Sequence, residues 1–147
     1  MRLIFAITLL AVCLIFCKKD FRILEGTMQE WTGGRQKSGK GVNYRITIIA
    51  ETTSDKLELM ELWINNRLCK HKLYNLTTNE FGNSFSKNDT LILTGTVMIY
   101  ELKKNINSTR EIPFDFSEQI VIGYILKNRT RYKPYDNIRP LKPLLYK

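Results

Sequence analysis

The chain opens on an apolar run, Leu3 to Cys17, set between Met1-Arg2 and Lys18-Lys19-Asp20. Fifteen residues fall short of the roughly 20 that a helix needs to cross a bilayer, so the run reads as the core of an export signal and predicts an N-terminal signal helix. Beyond it the period changes. Val42-Asn43-Tyr44-Arg45-Ile46-Thr47-Ile48-Ile49-Ala50 alternates and is β-branched, which predicts a strand. Leu57 to Ile64 fits a helix at 57, 60 and 64 or a strand with one bulge at 57, 59 and then 60, 62, 64, and the turn and return that follow favour the strand. Asn65-Asn66 tolerates the left-handed turn of a tight hairpin, and Arg67 to Tyr74 is expected to return as one strand. Thr90 to Tyr100 carries a continuous apolar stretch, as a central buried strand does, and its Gly95 marks a bend or a close approach.

Ile120 to Leu126 is the next strand, turned back at Lys127 to Thr130 into Arg131-Tyr132-Lys133. The end from Pro134, with Pro140 and Pro143, is expected as an extended edge segment or tail. Asn75 to Asp89 reads as loop with Phe81 and Phe85 packing beneath it, and Lys103 to Glu111 as a polar connection. About seven short strands with polar turns predict an all-β domain, an antiparallel β-sandwich of immunoglobulin-like arrangement, with a small barrel as the second choice. The domain limits expected are a signal over 1–16, a tether over 17–26 and the sandwich with its basic, proline-containing end over 27–147.

Between the tether and the first clear strand lies Gly33 to Gly41, four glycines and three cations in nine residues, an exposed loop by its backbone freedom. Arg35, Lys37 and Lys40 make it a candidate anion-binding loop. Gly34 to Lys40 also matches the start of a phosphate-binding P-loop. Gly41 stands where that motif needs Ser or Thr, and a strand follows where it needs a helix, so nucleotide binding is set aside.

The 147 residues leave one domain's worth of chain after the signal, enough for a self-supporting core. The formal charge is +9; without residues 1–16, which hold only Arg2 as a charged group, 22 basic against 14 acidic groups leave +8. For an exported chain that balance points to anionic envelope surfaces rather than nucleic acid. Of three cysteines, Cys13 and Cys17 lie in the signal, and Cys69 alone cannot build a disulfide framework.

Leu14-Ile15-Phe16-Cys17 followed by Lys18-Lys19-Asp20 resembles the lipobox end of bacterial lipoprotein signals, particularly the Cys-Lys-Lys-Asp endings common in Bacteroidota. Phe16 departs from that pattern, which carries Gly, Ala or Ser before the cysteine. The Gln29-Glu30-Trp31 segment ahead of the glycine loop is loosely similar to small lipoproteins of the same group. The resemblance implies cleavage before Cys17, acylation of its thiol and attachment to a membrane of the cell envelope. An uncleaved membrane segment and plain secretion stay open as alternatives.

Chemistry-bearing residues are sparse. The single histidine, His71, stands two residues from Cys69 on one face of a strand, and two ligands do not make a metal site. Glu58, Glu61, Glu101 and Asp115 are scattered, and no catalytic residue, metal or cofactor is expected. Lys127, Arg129, Arg131, Lys133, Arg139, Lys142 and Lys147, interleaved with Tyr132, Tyr135 and Tyr146, form a basic end suited to an anionic polymer. Glycosylation-type triplets begin at Asn75, Asn88, Asn107 and Asn128, all in expected turns or loops. The expected role is a non-enzymatic envelope lipoprotein with a binding or structural module. Its expected partners are the membrane, through Cys17, and anionic glycan or lipid headgroups, not nucleic acid; any protein partner is unspecified. A hydrolase of envelope polymers and a membrane-anchored subunit of a complex are the alternatives.

Overall fold

The computed structural model describes residues 20–34, 39–99 and 119–146. The expected signal, Cys17, Arg35, Lys37 and the 103–111 connection lie outside the described residues, as do residues 17–19 of the expected tether. All eleven elements among the described residues are strands: β1 (Phe21–Thr32), β2 (Lys40–Ala50), β3 (Leu57–Ile64), β4 (Arg67–Cys69), β5 (His71–Asn75), β6 (Glu80–Phe81), β7 (Thr90–Met98), β8 (Ile120–Leu126), β9 (Arg129–Tyr135), β10 (Ile138–Pro140) and β11 (Leu144–Leu145). They form two sheets. The larger runs β10-β1-β2-β7-β5-β6 with β11 also on β1, and the smaller runs β4-β3-β8-β9.

Alternation builds the shared core. Val42, Tyr44, Ile46, Ile48 and Ala50 of β2 point one way and are buried, meeting Leu62, Ile64, Ile120 and Ile122 of the smaller sheet. β7 contributes Leu91, Leu93 and Val97 to the same layer. At Gly95 an added Cβ would sit 2.6 Å from Leu62 Cδ2, so the expected close approach is where one sheet presses its side chains onto the backbone of the other. Trp63 and Val121, paired across β3 and β8, are buried outside that core cluster, and Trp63 Nε1 donates to Glu61 Oε2 at 2.9 Å.

Several elements match the expectation closely. β3 carries its bulge between Leu59 and Glu61. Asn65 and Asn66 have φ of 48° and 62°, and Lys127 and Asn128 have 50° and 62°, the left-handed pairs of two-residue hairpin turns. Others differ. β1 begins at Phe21, so residues 21–26, expected as tether, are strand, held by pairing with β2 from Phe21 opposite Ala50 onward. The return segment 67–74 is two strands: β4 pairs with β3 and β5 with β7, and the chain steps between sheets at Lys70. The sheet is not wholly antiparallel, because β10 and β11 lie parallel to β1, with Gly26 opposite Ile138 and Trp31 opposite Leu144. Within the 75–89 segment Phe85 is buried as expected, but Phe81 is 73% exposed on the short strand β6. Asn75, expected at the surface, is buried; its Nδ2 donates to Asp89 Oδ2 at 2.8 Å and its Oδ1 accepts from Thr77 N at 2.9 Å.

Candidate anion-binding groove

Residues of β1, β2, β7 and β5 on the face opposite the core line up in two cross-strand rows. In the first, Thr27 stands opposite Arg45, Arg45 opposite Thr94, and Thr94 opposite Lys72. In the second, Gln29 stands opposite Asn43 and Asn43 opposite Thr96. Directly opposed residues in a sheet have Cβ atoms about 5 Å apart, so each row is a continuous strip of hydroxyl, amide and cationic groups. Thr96 Oγ1 donates to Asn43 Oδ1 at 2.9 Å, and Gln29 Nε2 donates to the Lys142 carbonyl at 2.9 Å, which holds the amide row in place.

The strip borders a groove because the sheet is notched. β5 pairs with β7 only as far as His71 opposite Gly95, whereas β2 pairs with β7 on to Gly41 opposite Met98. The chain leaves that notch through Lys70 and Cys69 towards the smaller sheet, and the space between is an open groove of about 1350 Å³. Its walls carry Arg45, Arg67, Lys70 and Lys72 as cations, with His71 beside them. No Asp or Glu is among the described lining residues. Arg45, Lys70 and Lys72 are exposed, so their charges are solvated and mobile enough to meet a ligand. Cys69 Sγ donates to the Arg67 carbonyl at 3.5 Å and packs partly against the core. Glu61, in the adjoining hollow with Met60, Leu68 and Cys69, already accepts from Trp63.

Of the three cations of the candidate loop, Lys40 alone is described: it is exposed at the start of β2, opposite Thr32, and does not line the groove. The loop is closed at its base by Gly33 N donating to the Gly39 carbonyl at 3.0 Å. The basic end does not stay together either. Lys133 turns to Asp20, Arg139 pairs with Glu25, and Lys127 and Arg129 sit at the opposite end of β9 from Tyr135. Cys69 and His71 fall on different strands in different sheets, and no group of three or more His, Cys, Asp or Glu gathers among the described residues. The groove cations Arg45, Lys70 and Lys72 were not singled out by sequence reasoning. Polar outward positions along 43–47 and 94–96 carried a trace of the face, but only strand register brings Lys72 and Arg45 to either side of Thr94.

Comparison with protein-family models, with curated protein sequences and with solved structures returned no match to this chain. The groove's own chemistry is therefore the ground for a functional reading.

Proposed function

We propose that the chain is a cell-envelope lipoprotein, held to a membrane through Cys17, whose immunoglobulin-like β-sandwich binds an anionic glycan in the groove beside Arg45 and Lys72. The observation that carries the reading is the lining: four cations, a histidine and a strip of hydroxyls and amides, with no described carboxylate. Hydroxyl and amide groups hydrogen-bond to sugar hydroxyls, and the cations neutralise carboxylate or sulfate groups on the polymer. Glycoside hydrolysis usually uses a carboxylate pair across the bond, so this lining favours binding over cleavage. An open groove on a sheet face also suits an extended polymer better than a small compact metabolite.

Two measurements test it. Arg45→Glu with Lys72→Glu should weaken binding to polygalacturonate by at least about tenfold, each contact being a charge-assisted hydrogen bond. Neutral dextran should bind weakly to both proteins, and equal polygalacturonate affinity for both would remove the groove from the account. Separately, Cys17→Ser should abolish fatty-acid labelling and membrane retention; labelling that survives the change counts against the lipoprotein assignment.

A further inference from the structure

The start of the described chain is pinned to one end of the sandwich. Asp20 accepts a hydrogen bond from Tyr124 Oη, and Lys133 Nζ lies 3.4 Å from Asp20 Oδ1. Lys133 Nζ also donates to the Phe21 carbonyl at 2.6 Å and stands 4.3 Å from the centroid of the Phe21 ring. Phe21 is buried edge-on against Tyr124, with centroids 5.1 Å apart. Glu51 N adds a bond to the Asp20 carbonyl at 3.1 Å.

The turns of that end are tied to one another. Ala50 N donates to the Asp89 carbonyl at 3.0 Å, Ser54 N to the Phe85 carbonyl at 3.1 Å, and Lys127 N to the Lys56 carbonyl at 3.0 Å. Together they present Arg22, Lys56, Lys87, Lys127 and Arg129, all exposed. The carboxylates of this end that are not buried are Glu51, 4.0 Å from Arg22, Asp55, Glu58 at the second position of β3 and Glu80 at the start of β6. Asp89 is buried and accepts from Asn75 and Ser86, and Asp20 is engaged as above. Five cations face four carboxylates, one of them 4.0 Å from Arg22, and Lys18 and Lys19 add two positive charges to the sequence just before Asp20.

Three peptide steps separate Cys17 from Asp20, a reach of at most about 11 Å. The Debye length at physiological salt is about 8 Å, so attachment at or before Cys17 brings this end to within roughly the distance over which its charges act. β1 then runs twelve residues away from it, about 40 Å as an extended strand, to Thr32. The groove flanks the far half of that strand, at Thr27 and Gln29.

We infer that the basic end formed by Lys56, Lys87, Lys127, Arg129 and Arg22 rests on an anionic phospholipid surface, so that the groove is held out from the membrane. The inference rests on the proposed N-terminal attachment, and holds for a lipid on Cys17 or for a retained apolar run. Its test is amine footprinting of the full-length chain on vesicles of phosphatidylcholine with phosphatidylglycerol, using a membrane-impermeant acetylating reagent read by mass spectrometry. Lys56, Lys87 and Lys127 should slow by about threefold or more through contact with anionic headgroups, while Lys40, Lys70 and Lys72 keep their rates. The protection should vanish on vesicles of phosphatidylcholine alone. Equal rates for the two sets, or protection indifferent to headgroup charge, overturns the orientation while leaving attachment intact. A chain that does not float with either kind of vesicle overturns the attachment and the orientation with it.

Discussion

Gly95 shows how far one residue can be read before the fold is known. A glycine inside an apolar strand announces a close approach, and the neighbour proves to be Leu62 Cδ2, 2.6 Å from where a Cβ would stand. Gly95→Val should cost about 1–3 kcal/mol by overpacking, measured as a lower urea midpoint; an unchanged midpoint would mean the sheets part at no cost. Asp20 was illegible by comparison, since its partners Tyr124 and Lys133 lie more than a hundred positions away. Burial, the Asp20 hydrogen bond and the Asp20 charge together push the Tyr124 phenol up to about 12. Burial alone would raise Asp20, but the Tyr124 bond, the Lys133 charge and backbone amides outweigh it and hold the carboxyl below its usual 3.8. The phenol's contribution is whole below pH 10 and is lost as pH rises towards 12, because the folded state holds that proton longer than the unfolded one. Asp20 contributes above its unfolded value and loses that contribution as pH falls beneath it. The urea midpoint should therefore drop more steeply between pH 10 and pH 12 in the native protein than in Tyr124→Phe. Parallel curves would show that the pair does not couple to folding.

Among the elements, the strands with strong local patterns were legible and the pairings between them were not. β2 follows from β-branched alternation, β3 from a bulged apolar period and the turn after it, and β7 and β8 from apolar runs, with the turns read from Asn65-Asn66 and Lys127-Asn128. The division of 67–74 into β4 and β5 was not legible, because both halves are good strand sequence and only their partners, β3 and β7, separate them. The proline-containing end was expected at an edge, which is where it lies, but its parallel pairing with β1 is a long-range choice. Leu141 N donates to the Met28 carbonyl at 2.8 Å and Tyr146 N to the Thr32 carbonyl at 3.0 Å, so the segment covers backbone groups that β1 would otherwise present. Deleting residues 137–147 should uncover that edge and give concentration-dependent self-association by size-exclusion chromatography. A truncated chain that stays monomeric at high concentration would show that β1 is protected by other means.

Across the whole molecule, stability should grade from the middle of each sheet outward. Ile46, Ile48, Leu93, Ile120 and Ile122 are at most 1% exposed, on strands with neighbours on both sides, while β6 is a two-residue exposed edge. Hydrogen exchange should therefore be slowest in β2, β7 and β8 and fastest in β6, and uniform rates would contradict the layered core. The sequence by itself determined the all-β class, the main strands, their hairpin turns and the basic balance of the chain. These are local or compositional properties, carried by side-chain period, left-handed asparagines and counts of charge. Tertiary structure alone decided which cations meet. Lys133, Arg139 and Lys127, close in sequence, are drawn to separate partners or separate ends, while Arg45 and Lys72 come to flank Thr94 across three strands. The reason is that a sheet makes neighbours by register, and register is set by the buried faces of β2, β5 and β7, not by the exposed residues that line the groove.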